Sequence, residues 1–293
     1  MRFRTVAVAL LVVVAVVGLT CYGAWRVLMP AALKPLPPPR ECVARAGGTA
    51  ALEPEQMASA ATIAAVGVRR HLPVRAVQVA LATAMQESKL LNLSGGDRDS
   101  VGLFQQRPSQ GWGNPQQLMD ERFASAAFYA ALVKVPDWQT MDVGDAAQAV
   151  QHSAYPEAYA QWSDRADVLA RALTGGAEQA VTCTLGSGSG AGPAPRGAAA
   201  AQAVVAGLRA DWGADAAVTG SDGGEVTVRA ADAQTGWRYA YWMVSHAAEC
   251  GVEQVRVAGR TWTVKDGRWT GSSASPGAAA DAVTVTARVT RGS

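Results

Sequence analysis

One glutamate stands at the centre of this chain's chemistry. Glu87 lies in Ala84-Met85-Gln86-Glu87-Ser88-Lys89-Leu90, and a polar, glycine-rich stretch follows, with Gly96-Asp97-Arg98 and then Gly102-Leu103-Phe104-Gln105-Gln106. Val77, Ala80, Leu81, Ala84, Ser88 and Leu91 recur at helical spacing, which predicts a helix starting near Val74 with Glu87 on its apolar stripe. A carboxyl against an apolar wall tends to keep its proton near neutral pH. A retained proton is what a general acid needs to protonate a glycosidic oxygen. The expected chemistry is therefore on a polysaccharide.

Other side chains could complete such a site. Asp97, ten residues on, is a possible second carboxylate, acting as base or nucleophile across the bond from the acid. The alternative is a loop aspartate that bonds backbone N–H groups, and Asp99 is a weaker version of the same case. Gln105 can hydrogen-bond a sugar hydroxyl or N-acetyl group. Tyr155 can donate its phenol to the carboxylate or the reacting sugar, and Trp112 can stack on a sugar ring or simply pack. No Cys or His pair has metal-ligand spacing, no phosphate-cradling glycine loop is present, and no metal or cofactor is expected.

The elements that must position these residues read as follows. A helix begins at Glu53-Pro54-Glu55-Gln56 and runs to about residue 70, where His71-Leu72-Pro73 breaks it. Residues 92–110 form a loop. Further helices are expected over 114–119, 121–133, 143–152 and 156–173, with Pro156 in the first turn of the last. Residues 42–185 thus form a mainly α domain.

Around it, the organisation is read from composition. Met1-Arg2-Phe3-Arg4 is a basic flank, and residues 5–22 carry no charge, which predicts a transmembrane anchor within residues 1–29. A cleavable signal peptide is the rival reading. The protein is expected in the cell membrane as a single-pass protein with its bulk extracytoplasmic, or secreted if the segment is cleaved. Residues 30–41 hold five prolines and form a stiff spacer. Cys42 and Cys183 open and close the domain, and pairing them would stabilise it by about 4–5 kcal/mol in the chain-entropy model. Cys183–Cys250 is the alternative pairing. Residues 186–200 read as a flexible linker, residues 201–270 as a small α+β module and residues 271–293 as a loosely ordered tail with a possible strand at 282–289. Five of the nine tryptophans fall in the module, at 212, 237, 242, 262 and 269, as a core or a glycan-binding platform. The net charge of +2 argues against a dedicated nucleic-acid binder.

Glu87-Ser88 resembles the Glu-Ser motif of the lysozyme-like lytic transglycosylases. Gly102-Leu103-Phe104-Gln105 resembles their Gly-Leu-Met-Gln motif, and Ala154-Tyr155-Pro156-Glu157-Ala158-Tyr159 is a looser match to their Ala-Tyr-Asn-Ala-Gly motif, without its Asn and Gly. Gly96-Asp97-Arg98 ahead of Gly102-Leu103 is similar to the goose-type lysozymes. The composition resembles exported actinobacterial proteins. The resemblance covers residues 54–173. It implies a lysozyme-like helical fold, peptidoglycan glycan strands as the partner, Glu87 as the catalytic acid, and Gln105 and Tyr155 lining the site.

Three functions follow as expectations. The first is an enzyme cutting the β-1,4 bond between N-acetylmuramic acid and N-acetylglucosamine. As a lytic transglycosylase it needs only Glu87; as a hydrolase it needs Asp97 as well. The second is a catalytically silent wall-binding or scaffold protein. The third is a transport or secretion accessory. The sequence names no protein partner and assigns the second module no ligand.

Overall fold

Cys42 and Cys183 face each other across two antiparallel strands and are joined by a disulfide. The strands are β1 (Glu41–Arg45) and β3 (Val181–Thr184). With β2 (Thr49–Leu52) they form a three-stranded sheet in the order β2-β1-β3. The alternating burial of β1, with Cys42 and Ala44 inward, is that of a strand with one wet face. This sheet is absent from the sequence reading, which has the first domain mainly helical. Cys250 is buried and unpaired, so the alternative pairing does not form.

The structure is a computed structural model that describes residues 14–25, 40–186, 194–222, 224–271 and 283–292. The chain divides into Met1–Pro38 and Pro39–Ser293. In the first unit, residues 14–25 form helix α1. Among the described residues no helix is long and apolar enough to cross a membrane. The start of the expected span, residues 5–13, and most of the expected spacer lie outside the described residues.

The second unit mixes helices with two antiparallel sheets. Helix α2 (Pro54–Arg69) starts with Pro54 in its first turn, and the Gln56 side chain accepts from the Glu53 backbone N–H at 2.9 Å. Its alanine-rich sequence favours helix and lets neighbours approach closely. At Gly67 an added Cβ would lie 2.7 Å from the Tyr129 hydroxyl, which donates to the Ile63 carbonyl at 3.0 Å. Helix α3 (Val74–Ser88) runs through the core between α2, α5 (Glu121–Leu132), α6 (Val143–Gln151) and α7 (Ser163–Leu173), with the short α4 (Pro115–Leu118) packed on α5.

The expected helix over 156–173 is broken. Two 3-10 turns, Pro156–Ala158 and Ala160–Trp162, precede α7. In 3-10 geometry residues three apart eclipse one another. Tyr159 and Trp162 therefore share one side, and both reach the last turn of α3.

Beyond residue 194, helix α8 (Gly197–Trp212) begins within the segment read as linker. A six-stranded antiparallel sheet follows, in the order β4-β5-β9-β6-β7-β8. Its strands are β4 (Ala217–Asp222), β5 (Glu225–Ala230), β6 (Val252–Val257), β7 (Arg260–Thr263), β8 (Trp269–Thr270) and β9 (Val283–Val289). The possible strand of the tail, expected at 282–289, forms as β9 and takes an inner position, hydrogen-bonded to β5 and β6. Val285, Ala287 and Val289 are fully buried, as period-two alternation requires of a strand packed on one face. Helix α9 (Ala233–Ser245) covers this sheet, with the short α10 (Ala247–Cys250) after it.

All five tryptophans of this region are buried, so they form core and not an exposed platform. Several polar groups of α9 and β8 serve the first domain. Trp269 Nε1 donates to the Val181 carbonyl at 2.8 Å, and Arg238 Nε donates to the Thr174 carbonyl at 2.8 Å. The Tyr241 hydroxyl donates to the Ala177 carbonyl and accepts from the Ala180 N–H. The α+β region therefore holds the end of α7 and the start of β3 in place.

Candidate active site

Glu87 occupies the last turn of α3, flanked by buried Met85 and Ser88. The helix ends at Lys89 in the left-handed conformation (φ 57°), and Gln56 Nε2 from α2 donates to the Lys89 carbonyl at 2.7 Å. Glu87 itself is half-buried, less enclosed than its place on the apolar stripe implies. The helix end leaves it at the rim of the core.

Ser88 connects this end to the glycine-rich loop. Its hydroxyl is 2.7 Å from the Leu103 carbonyl and 3.1 Å from the Ala84 carbonyl. One proton serves two acceptors, so the loop and the helix end are fixed together. Ser88→Ala removes the donor from both buried carbonyls. It is expected to lower stability by about 1–2 kcal/mol, read as a shifted urea midpoint with an unchanged slope.

The loop is fixed at its glycines. Gly102 has φ 78°, and a Cβ there would lie 2.3 Å from the Leu118 carbonyl oxygen. At Gly96 a Cβ would lie 1.7 Å from Gln105 Oε1. The Gln105 amide is folded back into the loop, accepting from Ser100 Oγ at 3.0 Å and donating to the Gly102 carbonyl at 3.1 Å. Phe104 stacks on Phe128 at 4.7 Å between ring centres, and Gln151 Nε2 donates to the Phe104 carbonyl at 2.8 Å.

The phenol that meets the carboxylate is Tyr159. Its hydroxyl donates to Glu87 Oε1 at 2.5 Å. Burial first, and the hydrogen bond to Glu87 second, hold this phenol above its ordinary pKa, so it stays a donor. The nearby Ser153 side chain acts in the opposite direction, and its hydroxyl accepts from the Tyr155 N–H at 3.1 Å. One residue before Glu87, Gln86 Oε1 accepts from Trp162 Nε1 at 2.9 Å, and the Lys89 ammonium lies 4.5 Å from the centre of the Trp162 ring. Tyr155, the tyrosine expected near the carboxylate, is 76% exposed. The signal for Tyr159 was its spacing of three from Trp162, which becomes legible only once the segment is known to be 3-10.

The two aspartates of the loop differ. Asp97 is exposed, and its one ion pair among the described residues is to its neighbour Arg98 at 3.9 Å. Asp99 accepts from Arg107 Nε at 2.8 Å and from the Ser109 N–H at 2.7 Å. Arg107 and then Ser109 hold its carboxyl well below the usual range. Asp99 is thus a loop lock, and neither aspartate hydrogen-bonds to Glu87. Trp112 is partly buried against the core and lines an open groove. No group of three or more His, Cys, Asp or Glu among the described residues could hold a metal ion.

A second polar cluster joins α2 and α5 to α8 and α9. Asp211, fully buried, forms an ion pair with Arg122. Its Oδ2 accepts from Thr62 Oγ1 at 2.9 Å and from Trp242 Nε1 at 2.6 Å. His246 stacks on Trp242 at 4.2 Å between ring centres, and its Nδ1 lies 2.9 Å from the Trp242 carbonyl, which can only accept. Beside it a polar cavity of about 270 Å3 is lined by Ser59, Glu121, Arg122, His246 and Glu249, among others. Ser59 donates to Glu121 at 3.0 Å, yet burial pushes the Glu121 carboxyl up to about 7. The sequence reading missed this cluster because its members lie far apart along the chain.

No family model matches this chain, and no curated protein matches it.

Proposed function

We propose that this protein cleaves the β-1,4 bond between N-acetylmuramic acid and N-acetylglucosamine in peptidoglycan, as a lytic transglycosylase with Glu87 as acid and then base. The observation that carries the reading is the Glu87–Tyr159 pair at the end of α3, buttressed by the Ser88-anchored Gly102-Leu103-Phe104-Gln105 loop. Tyr159 occupies Oε1. Oε2 has no protein partner among the described residues and is the atom left for a substrate oxygen.

The steps follow from one carboxyl. Glu87 gives its proton to the glycosidic oxygen, the C1–O bond breaks, and positive charge builds on the sugar ring. Glu87, now a carboxylate, takes the proton of the muramyl 6-hydroxyl as that oxygen bonds to C1. The proton count closes without water, and the product carries a 1,6-anhydro end. A hydrolase needs a second group to hold water. Asp97 and Asp99, the aspartates of the loop, are respectively exposed and locked to Arg107. This favours the transglycosylase over the hydrolase.

In this scheme Tyr159 is a positioning residue. Tyr159→Phe is expected to lower kcat about 10–100-fold, the worth of a hydrogen bond to a charged group. It should also shift the alkaline limb of the pH–rate profile, where the acid must keep its proton, and a purely structural role would leave that limb in place. The proposed setting is the outer face of the membrane, with the N-terminal segment as anchor or signal.

The rival function is a wall-binding protein without activity. Incubating the full chain with purified peptidoglycan decides between them. The proposal expects soluble fragments that increase with time. Binding without release supports the rival.

A further inference from the structure

We propose that the open groove of about 800 Å3 beside the Glu87 network binds the peptide substituent of the glycan strand through its carboxylates. The inference rests on the glycan-cleaving reading above and adds a substrate preference to it, for peptide-bearing over bare strands.

The groove adjoins the candidate site through the chain itself. Gln151 and His152 form one wall. Gln151 holds the Phe104 carbonyl of the glycine-rich loop. His152 is followed directly by Ser153, whose side chain lies near the Tyr159 phenol that meets Glu87. A strand whose scissile bond lies at Glu87 would have substituents within reach of this wall.

The lining has a consistent chemistry. Its charged side chain is the exposed Lys134, with the His152 imidazole as a further polar group, and no Asp or Glu contributes to it. In a chain of net charge +2 with 24 acidic residues, a groove free of them suits an anion. Trp112 and Pro136 add flat apolar surface, and Gln110 and Gln151 add amides. Amides, apolar surface and a cation together match a short peptide with free carboxylates. A lactyl carboxylate alone would fill little of a groove this size.

The test measures binding without turnover, with Glu87→Gln in the full chain. Soluble glycan oligomers of one length are titrated, either peptide-bearing or stripped to the lactyl group by an amidase. The expected result is about tenfold tighter binding of the peptide-bearing oligomer. Adding Lys134→Gln should reduce that ratio to about one, and Lys134→Arg should retain it. Equal binding of the two oligomers, or a preference indifferent to Lys134→Gln, overturns the proposal while leaving the glycan reading intact. Binding of neither oligomer overturns the glycan reading and this proposal with it.

Discussion

Glu87→Gln is expected to lower the rate of fragment release from peptidoglycan by about 10²–10⁴-fold, the usual contribution of a positioned general acid. The substitution is isosteric. The glutamine carbonyl can still accept from the Tyr159 hydroxyl, and Gln86 keeps its bond to Trp162. Thermal stability should therefore change little, and the loss should fall on kcat. Measuring initial rates of release beside a melting curve separates the two. A variant that melts like the wild type and retains its rate would remove Glu87 from the chemistry.

The second large effect concerns stability and pH. Glu121 stands at the head of α5 beside a polar cavity, and its carboxyl is pushed from an ordinary 4.5 up to about 7. Burial is the main cause, followed by the opposing Ser59 hydrogen bond and then the Glu249 carboxylate; Arg122 and Asp211 contribute in opposite directions. Asp120 and His246 also line the cavity, and Cys250, after Glu249 in α10, is itself pushed up to about 12, chiefly by burial.

The sign is fixed by proton counts. Between about pH 4.5 and 7 the folded protein holds a proton on Glu121 that the unfolded chain has lost. Stability from this group is fully present below about pH 4.5 and falls as pH rises to about 7. The difference amounts to about 3 kcal/mol. The informative quantity is wild type minus Glu121→Gln, which isolates this carboxyl. Urea unfolding at pH 4 and pH 8 should show that difference falling at the higher pH by about 3 kcal/mol. Parallel pH profiles for the two proteins would show that Glu121 is not the responsible group.

Much of the first domain was legible in the sequence, for identifiable reasons. Helices α2 and α3 have long apolar periodicities, and the His71-Leu72-Pro73 break between them is unambiguous. Helix α2 lies within one residue of its expected bounds, and α3 starts at Val74 as expected but ends at Ser88, short of the Leu91 included in its apolar stripe. The β1 and β3 strands are only five and four residues long, too short to show alternation against an alanine-rich background. The inner position of β9 rests on pairing with strands at 225–230 and 252–257, which no local pattern encodes.

The candidate site was partly legible. Glu87 and the Gly102-Leu103-Phe104-Gln105 loop lie close in sequence, and Ser88 joins them through one hydroxyl. Tyr159 lies 72 residues from Glu87, and its approach depends on the 3-10 turns. The Asp211 cluster was least legible. Thr62 and Asp211 are 149 residues apart, and only the packing of α8 against α2 brings them together.

The central claim is that one carboxyl, Glu87, cuts the glycan without a second carboxylate. Mass spectrometry of the fragments released from purified peptidoglycan tests it most directly. The account predicts fragments ending in 1,6-anhydro-N-acetylmuramic acid, absent when Glu87→Gln is used. Fragments with ordinary reducing ends would contradict it.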